Sequence, residues 1–224
     1  MAIHDWPRTE RPRERLIELG EEVLSDAELL ALFLGSGPAG RSAVDLARHL
    51  LTKFGSLREI LNCDRRRLMQ IAGVGPARYA LLRAAVEMGR RYHLDAMRSS
   101  PNLISPKSTR DFLLAKLRDR PYEIFCCLYL DARYRLIAFE ELFRGTVNSA
   151  AVHPREVIRQ VLTHNATAVI LAHNHPSGST EPSSEDEVIT KQIKDALSLL
   201  GVTLLDHIIV GGGQCVSFLE RGML

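Results

Sequence analysis

Two hydrophobic periods divide the chain. Through residue 98, apolar positions recur at helical spacing in AELLALFL, SAVDLARHLL, LREIL, RRLMQIA and ARYALLRAAVEMGRRY. GSGPAG, KFGS and AGVGP separate those runs as turns, so the pattern predicts about five short helices. The stretch RSSPNLISP, residues 98–106, then breaks the period with two prolines and three serines. It gives a helical domain over residues 1–98, a linker over 99–107 and a second domain within 102–224.

In the second part the period changes. Ser108 is expected to cap a helix through TRDFLLAKLRD, ended by Pro121. EIFCCLYLD and YRLIAFEELFRGTV read as strands joined by a DARY hairpin turn. A further strand ends at SAAV, and His153 caps the helix HPREVIRQVLTHN that follows. ATAVILAHN is a short buried strand. Ser183 opens another helix, SSEDEVITKQIKDALSLLG, closed at Gly201. VTLLDHIIVGGGQCVSFLE supplies two last strands around a glycine-rich turn. The expected fold is a mixed α/β sheet flanked by helices, preceded by a smaller all-α domain.

Composition narrows the function classes. With 46% hydrophobic and 25% charged residues, the 224-residue chain can bury a core and is not of disordered type. No apolar run approaches the ~18 residues of a membrane span, and the charged start MAIHDWPRTERPRERL has no apolar signal core. A cytoplasmic protein with no membrane partner is expected. Four cysteines, none in a CxxC pair, exclude a disulfide framework and thiol-based chemistry. The net charge is +2, and it is uneven. Residues 1–98 hold 16 Lys+Arg against 13 Asp+Glu, hence +3, which supports an anionic partner only weakly.

Candidate chemistry concentrates in HNHPSGSTEPSSED, residues 173–186. On a strand ending at His173, positions i and i+2 share a side, so His173 and His175 can aim their imidazoles at one point. Catalytic zinc takes three protein ligands and keeps a fourth position open for water. Asp186, in the first turn of the next helix, is the natural third ligand, because the PSGSTEP loop folds back between the two elements. Ser183-x-x-Asp186 is at the same time an ordinary helix start, which does not exclude the metal role.

H-x-H-x7-S-x2-D resembles the signature of JAMM (MPN-plus) metalloproteases, matched at residues 173, 175, 183 and 186. HNHPSG, with VHPREV upstream and LLDHIIVG downstream, is similar to the bacterial RadC family. PRERL, LSDAELLALFLGSG and GVGPARYALL extend that resemblance over nearly the whole chain. Asn174 departs from the deubiquitinating members, which carry Ser or Thr there. The resemblance implies one zinc per chain on His173, His175 and Asp186. It implies that Ser183 stabilises an oxyanion and that a first-strand glutamate, here Glu123, is the general base. Glu140, Glu141 and Glu156 compete for that last role. His207, beside Asp206 in an apolar strand, reads as structural or as a support for the ligands.

IAGVGPARYA, residues 71–80, fits a helix-hairpin-helix pattern, in which Gly73 and Gly75 would let a phosphate approach and Arg78 and Arg83 lie on the following helix. LGSGP, residues 34–38, looks like a degenerate second copy. That resemblance implies sequence-independent DNA binding by residues 1–98. The expected activity is zinc-dependent hydrolysis of an amide or isopeptide bond in a peptide or protein. The rivals are a DNA-processing nuclease and a non-catalytic adaptor.

Overall fold

Capping residues set the helix starts of the first part. The computed structural model describes residues 3–99, 105–145 and 152–224. Helices α1 (Pro12–Leu19), α2 (Asp26–Leu34), α3 (Ala43–Phe54), α4 (Leu57–Asn62), α5 (Arg65–Met69) and α6 (Pro76–Ser99) follow one another. Ser25 and Ser42 form reciprocal capping boxes with Glu28 and Asp45, satisfying donors that a helix start leaves open. The apolar stripes then pack Leu30, Leu34, Leu46, Leu50, Ile60, Leu68 and Leu82 into one core. Truncating any such buried leucine to alanine costs roughly 2–5 kcal/mol.

The last helix is long, at 24 residues, where a short one was expected. Its apolar period runs through Gly89, a residue that weakens a helix without breaking it. Packing divides the chain at Met88/Gly89, inside α6 and upstream of RSSPNLISP. Most of that stretch, residues 100–104, lies outside the described residues.

Arg78 and Arg83, on the helix after the glycine turn, both donate to backbone carbonyls. Arg78 Nε donates to the Leu34 carbonyl at 2.8 Å, Nη1 to the Gly73 carbonyl and Nη2 to Ser36 Oγ at 2.7 Å. It thereby ties the two glycine turns together. Arg83 Nη1 donates to the Leu61 carbonyl at 2.7 Å. Gly73 has φ +93°, and a Cβ there would press on Leu46 and Pro38 at 3.2 Å, so packing accounts for this glycine.

The second unit opens with α7 (Pro106–Leu117), capped by Ser105 and not by Ser108. Pro106 occupies the first helical position, where a missing N–H costs nothing, so the helix starts earlier and has ended before Pro121. Strands β1 (Ile124–Leu130) and β2 (Leu136–Arg144) form the expected hairpin, closed by Asp131 through Arg135. Helix α8 (Pro154–Thr163), strand β3 (Ala168–Asn174), helix α9 (Ser184–Ser198) and strands β4 (Thr203–Gly211) and β5 (Gln214–Ser217) complete the order. His153 holds the N-cap position of α8, but its side chain makes no capping bond. The SAAV strand falls at residues 149–152, of which only Val152 lies within the described residues.

The sheet runs β2-β1-β3-β4-β5, with β3 and β4 parallel and the other neighbours antiparallel. β1 and β3 are buried at every position, as central strands covered on both faces must be. Ile124, Cys126, Leu128 and Leu130 face α7 through Phe112, Leu113 and Leu117. Phe125, Cys127 and Tyr129 face α8 and α9 through Val157, Val161, Ile193 and Leu197. This is a mixed sheet between helical layers, the α/β architecture expected. Among the described residues, no helix is long and apolar enough to cross a membrane.

Candidate metal centre

The alternation of β3 decides which way its C-terminal end points. Val169 and Leu171 face α8 and α9, so His173 faces that side too, opposite Phe125 in register and with its ring stacked on the phenyl ring at 6.1 Å. Asn174 faces the other side. The chain stays extended for one more residue because His175 N–H donates to the Val210 carbonyl at 2.9 Å. His175 then returns to the side of His173.

The third side chain arrives with α9. Ser183 N–H and Oγ–H both donate to Asp186 Oδ2, at 2.8 and 2.7 Å, while Asp186 N–H donates to Ser183 Oγ at 3.1 Å. This capping box leaves Asp186 Oδ1 to face His173 Nε2 at 3.1 Å. His175 Nε2 lies 2.9 Å from His173 Nε2 and 3.5 Å from Asp186 Oδ2. One ligand atom from each residue lies within 4.8 Å of the others, so His173, His175 and Asp186 form a group that could hold a metal ion. Among the described residues it is the one such group.

The donor set fits zinc. Two imidazole nitrogens and one carboxylate oxygen are the ligands of an open catalytic site. His175 Nδ1 lies 3.1 Å from the Ser179 carbonyl. A carbonyl only accepts, so that nitrogen carries the proton and Nε2 offers its lone pair to the centre. Burial alone would raise the Asp186 pKa, but the contacts with His173 and His175 and the Ser183 hydroxyl hold the carboxyl far below its ordinary range. The pKa of His175 is raised, chiefly by the Asp186 carboxylate, which favours the protonated ring, and against the effect of burial. The carboxylate is therefore ionised where a cation would sit.

The carboxylates proposed as general base separate cleanly. Glu140 meets His164 Nε2 at 2.9 Å, Glu141 meets Arg120 Nη2 at 2.9 Å, and Glu156 meets Arg159 Nη2 at 2.7 Å. Glu123 instead lies within electrostatic reach of His173, His175 and Asp186. Burial raises its pKa, opposed by the two histidines. Ser183 is beside the centre, with its hydroxyl engaged by Asp186.

Three supporting residues have no signal in the linear motif. His207, buried on β4, meets His173 Nδ1 at 2.8 Å, and Thr190 on α9 meets His207 in turn. Gly211 lies under the HPSG turn, where a Cβ would fall 2.2 Å from the Ser179 carbonyl, the acceptor that orients His175. The run of three glycines at 211–213 marks a turn, but only the tertiary approach shows why the first must be glycine.

Residues 103–223 match the family described as the RadC-like JAB domain, and residues 3–80 match UPF0758 N-terminal. A UPF0758 protein of Nitrosococcus oceani is 56% identical over 224 residues, covering 100% of both chains. UPF0758 proteins of Thioalkalivibrio sulfidiphilus and Azotobacter vinelandii are 56% and 54% identical, again over 100% of each chain. With its second unit built as a mixed α/β sheet and its helical first unit matched separately, the chain belongs to the UPF0758 family of proteins with a RadC-like JAB domain.

Proposed function

We propose that this protein is a zinc-dependent hydrolase of the JAMM type, cleaving an amide or isopeptide bond in a peptide or protein. The observation that carries this reading is the convergence of His173, His175 and Asp186, with Glu123 within their electrostatic reach and outside the ligand set. A bound zinc would supply Lewis acidity, lowering the pKa of water and polarising a carbonyl oxygen. Glu123 accepts a proton from the attacking water and passes it to the leaving nitrogen, a transfer favoured because burial makes its carboxylate more basic. Ser183, once its hydroxyl turns from Asp186, donates to the developing oxyanion.

A nuclease commonly pairs two metals. The single ligand group found among the described residues favours the peptidase. An adaptor would have no need of the ligands. The cysteines are free thiols, which supports a reducing, cytoplasmic setting. An activity profile of zinc-loaded protein on peptide, isopeptide and DNA substrates tests the reading, with His175→Ala as control. Turnover of DNA alone would select the nuclease.

We also propose sequence-independent DNA binding by the helical unit, supported by the turn at Gly73 and Gly75 before α6. Arg78 and Arg83 are engaged by backbone carbonyls, so exposed arginines such as Arg13 and Arg41 would meet phosphate. Affinity of the full chain should fall steeply with salt and be equal for unrelated duplexes. Absence of binding at low ionic strength would leave the glycine turn a packing device.

A further inference from the structure

His173 reaches the centre with Nε2, and what lies behind its other nitrogen is a closed chain of polar atoms. Nδ1 is 2.8 Å from His207 Nε2. His207 Nδ1 meets Thr190 Oγ1, and Thr190 Oγ1 meets the backbone carbonyl of Asp186, one turn earlier on α9. The chain begins on one candidate ligand and ends on another, linking β3 to α9 through β4.

Counting hydrogens orients every bond. The Asp186 carbonyl can only accept, so the one hydroxyl hydrogen of Thr190 goes to it. Thr190 Oγ1 then has lone pairs alone for His207, and His207 Nδ1 must donate. A neutral imidazole carries one N–H, which leaves His207 Nε2 as acceptor. His173 Nδ1 must therefore donate, and His173 Nε2 faces the centre with a free lone pair. The opposite tautomer of His207 would set N–H against N–H or leave the Thr190 oxygen facing a bare nitrogen in the interior, where an unmet polar group is costly.

The surroundings hold this arrangement. His207, Thr190 and His173 are 0%, 2% and 0% exposed, so water does not replace any member of the chain. Phe218 stacks on His207 at 4.8 Å and Phe125 meets its edge side at 5.6 Å, fixing the ring plane. A threonine on a helix often bonds the carbonyl four residues back without further purpose. Here the same oxygen is also the acceptor for a buried imidazole, which a valine of equal shape would not be.

We infer that Thr190 and His207 are positioning residues that lock His173 as its Nδ1–H tautomer and so keep Nε2 open for metal. The inference rests on the proposed metal centre and extends it to two residues outside the H-x-H-x7-S-x2-D motif. Neither residue touches the metal or the substrate.

The test pairs Thr190→Val with Thr190→Ser. Zinc affinity is measured with zinc alone, by competition against a chromophoric chelator, and imidazole nitrogen NMR of metal-free protein reports the tautomer of His207. Wild type should show the proton of His207 on Nδ1. Thr190→Val should weaken zinc binding about 10–100-fold, the range for loss of a partner behind a ligand, and move the His207 proton to Nε2. Thr190→Ser, which keeps the hydroxyl, should restore both. Equal zinc affinity in the Val and Ser variants, or a wild-type His207 protonated on Nε2, would overturn the inference. Should the wild type bind no zinc, the metal centre itself fails, and with it this role.

Discussion

Asn174 brackets Glu123 from across the sheet. Its Oδ1 accepts the Ile124 N–H at 2.9 Å, and its Nδ2 donates to the Tyr122 carbonyl at 3.1 Å. The residues on either side of Glu123 are thus tied to the residue that separates the two candidate ligand histidines. Asn174 is 1% exposed, so water cannot easily substitute for the carboxamide. In place of Ser or Thr, the carboxamide accepts on one atom and donates from another, so it bridges the Ile124 N–H and the Tyr122 carbonyl at the entrance to β1, two groups that a single short hydroxyl does not span in the same way. Asn174→Ala leaves the buried Ile124 N–H without its acceptor and should destabilise the protein by about 1–3 kcal/mol in urea denaturation. An unchanged midpoint would show that the bracket is dispensable.

Glu123→Gln keeps the shape of the side chain and removes the proton acceptor. The variant should hold wild-type zinc content and stability and lose about a hundredfold or more in turnover on whichever substrate the activity profile identifies. Near-normal turnover would contradict the role given to Glu123. Zinc loss would make it a ligand instead.

The hairpin that places β1 has its own pH signature. Asp131 Oδ1 accepts from the Arg133 and Arg135 N–H groups at 2.8 and 2.9 Å, and Oδ2 meets Arg135 Nε at 2.7 Å. Hydrogen bonds from Arg135, backbone first, lower its pKa from 3.8 to about 2. A carboxyl with a depressed folded-state pKa stabilises fully above its unfolded value, and that contribution is lost as pH falls through the folded value. The Tm advantage of wild type over Asp131→Asn should therefore be constant above pH 3.8 and shrink toward pH 2. A difference that grows on acidification would have the wrong sign.

Elements with strong local signals were readable in the chain. β1 is an unbroken apolar run and β3 is apolar up to His173, Ser183 with Asp186 spells out a helix start, and the three candidate ligands stand within one stretch of fourteen residues from His173 to Asp186. Supports that arrive from a distance were readable only in part. The sequence leaves His207 open between a structural residue and a support for the ligands, and the parallel pairing of β3 with β4 is what brings it behind His173, 34 residues away. The position of Arg78 on a helix after a glycine turn says nothing of the Leu34 carbonyl 44 residues away, to which it donates. The cap of α7 was misread by three positions, since Ser105 and Ser108 both precede an apolar run and Pro106 decides between them. The resemblance points to Glu123, and the structure adds that Glu140, Glu141 and Glu156 each have a side-chain partner of their own in His164, Arg120 and Arg159.

The central claim is that His173, His175 and Asp186 hold one zinc ion, and elemental analysis of purified protein tests it most directly. Wild type should carry about one zinc per chain, and His175→Ala should be largely empty while keeping its fold, because a centre of this kind sits beside the core and does not build it. Zinc content in His175→Ala and His173→Ala equal to that of the wild type would contradict the assignment.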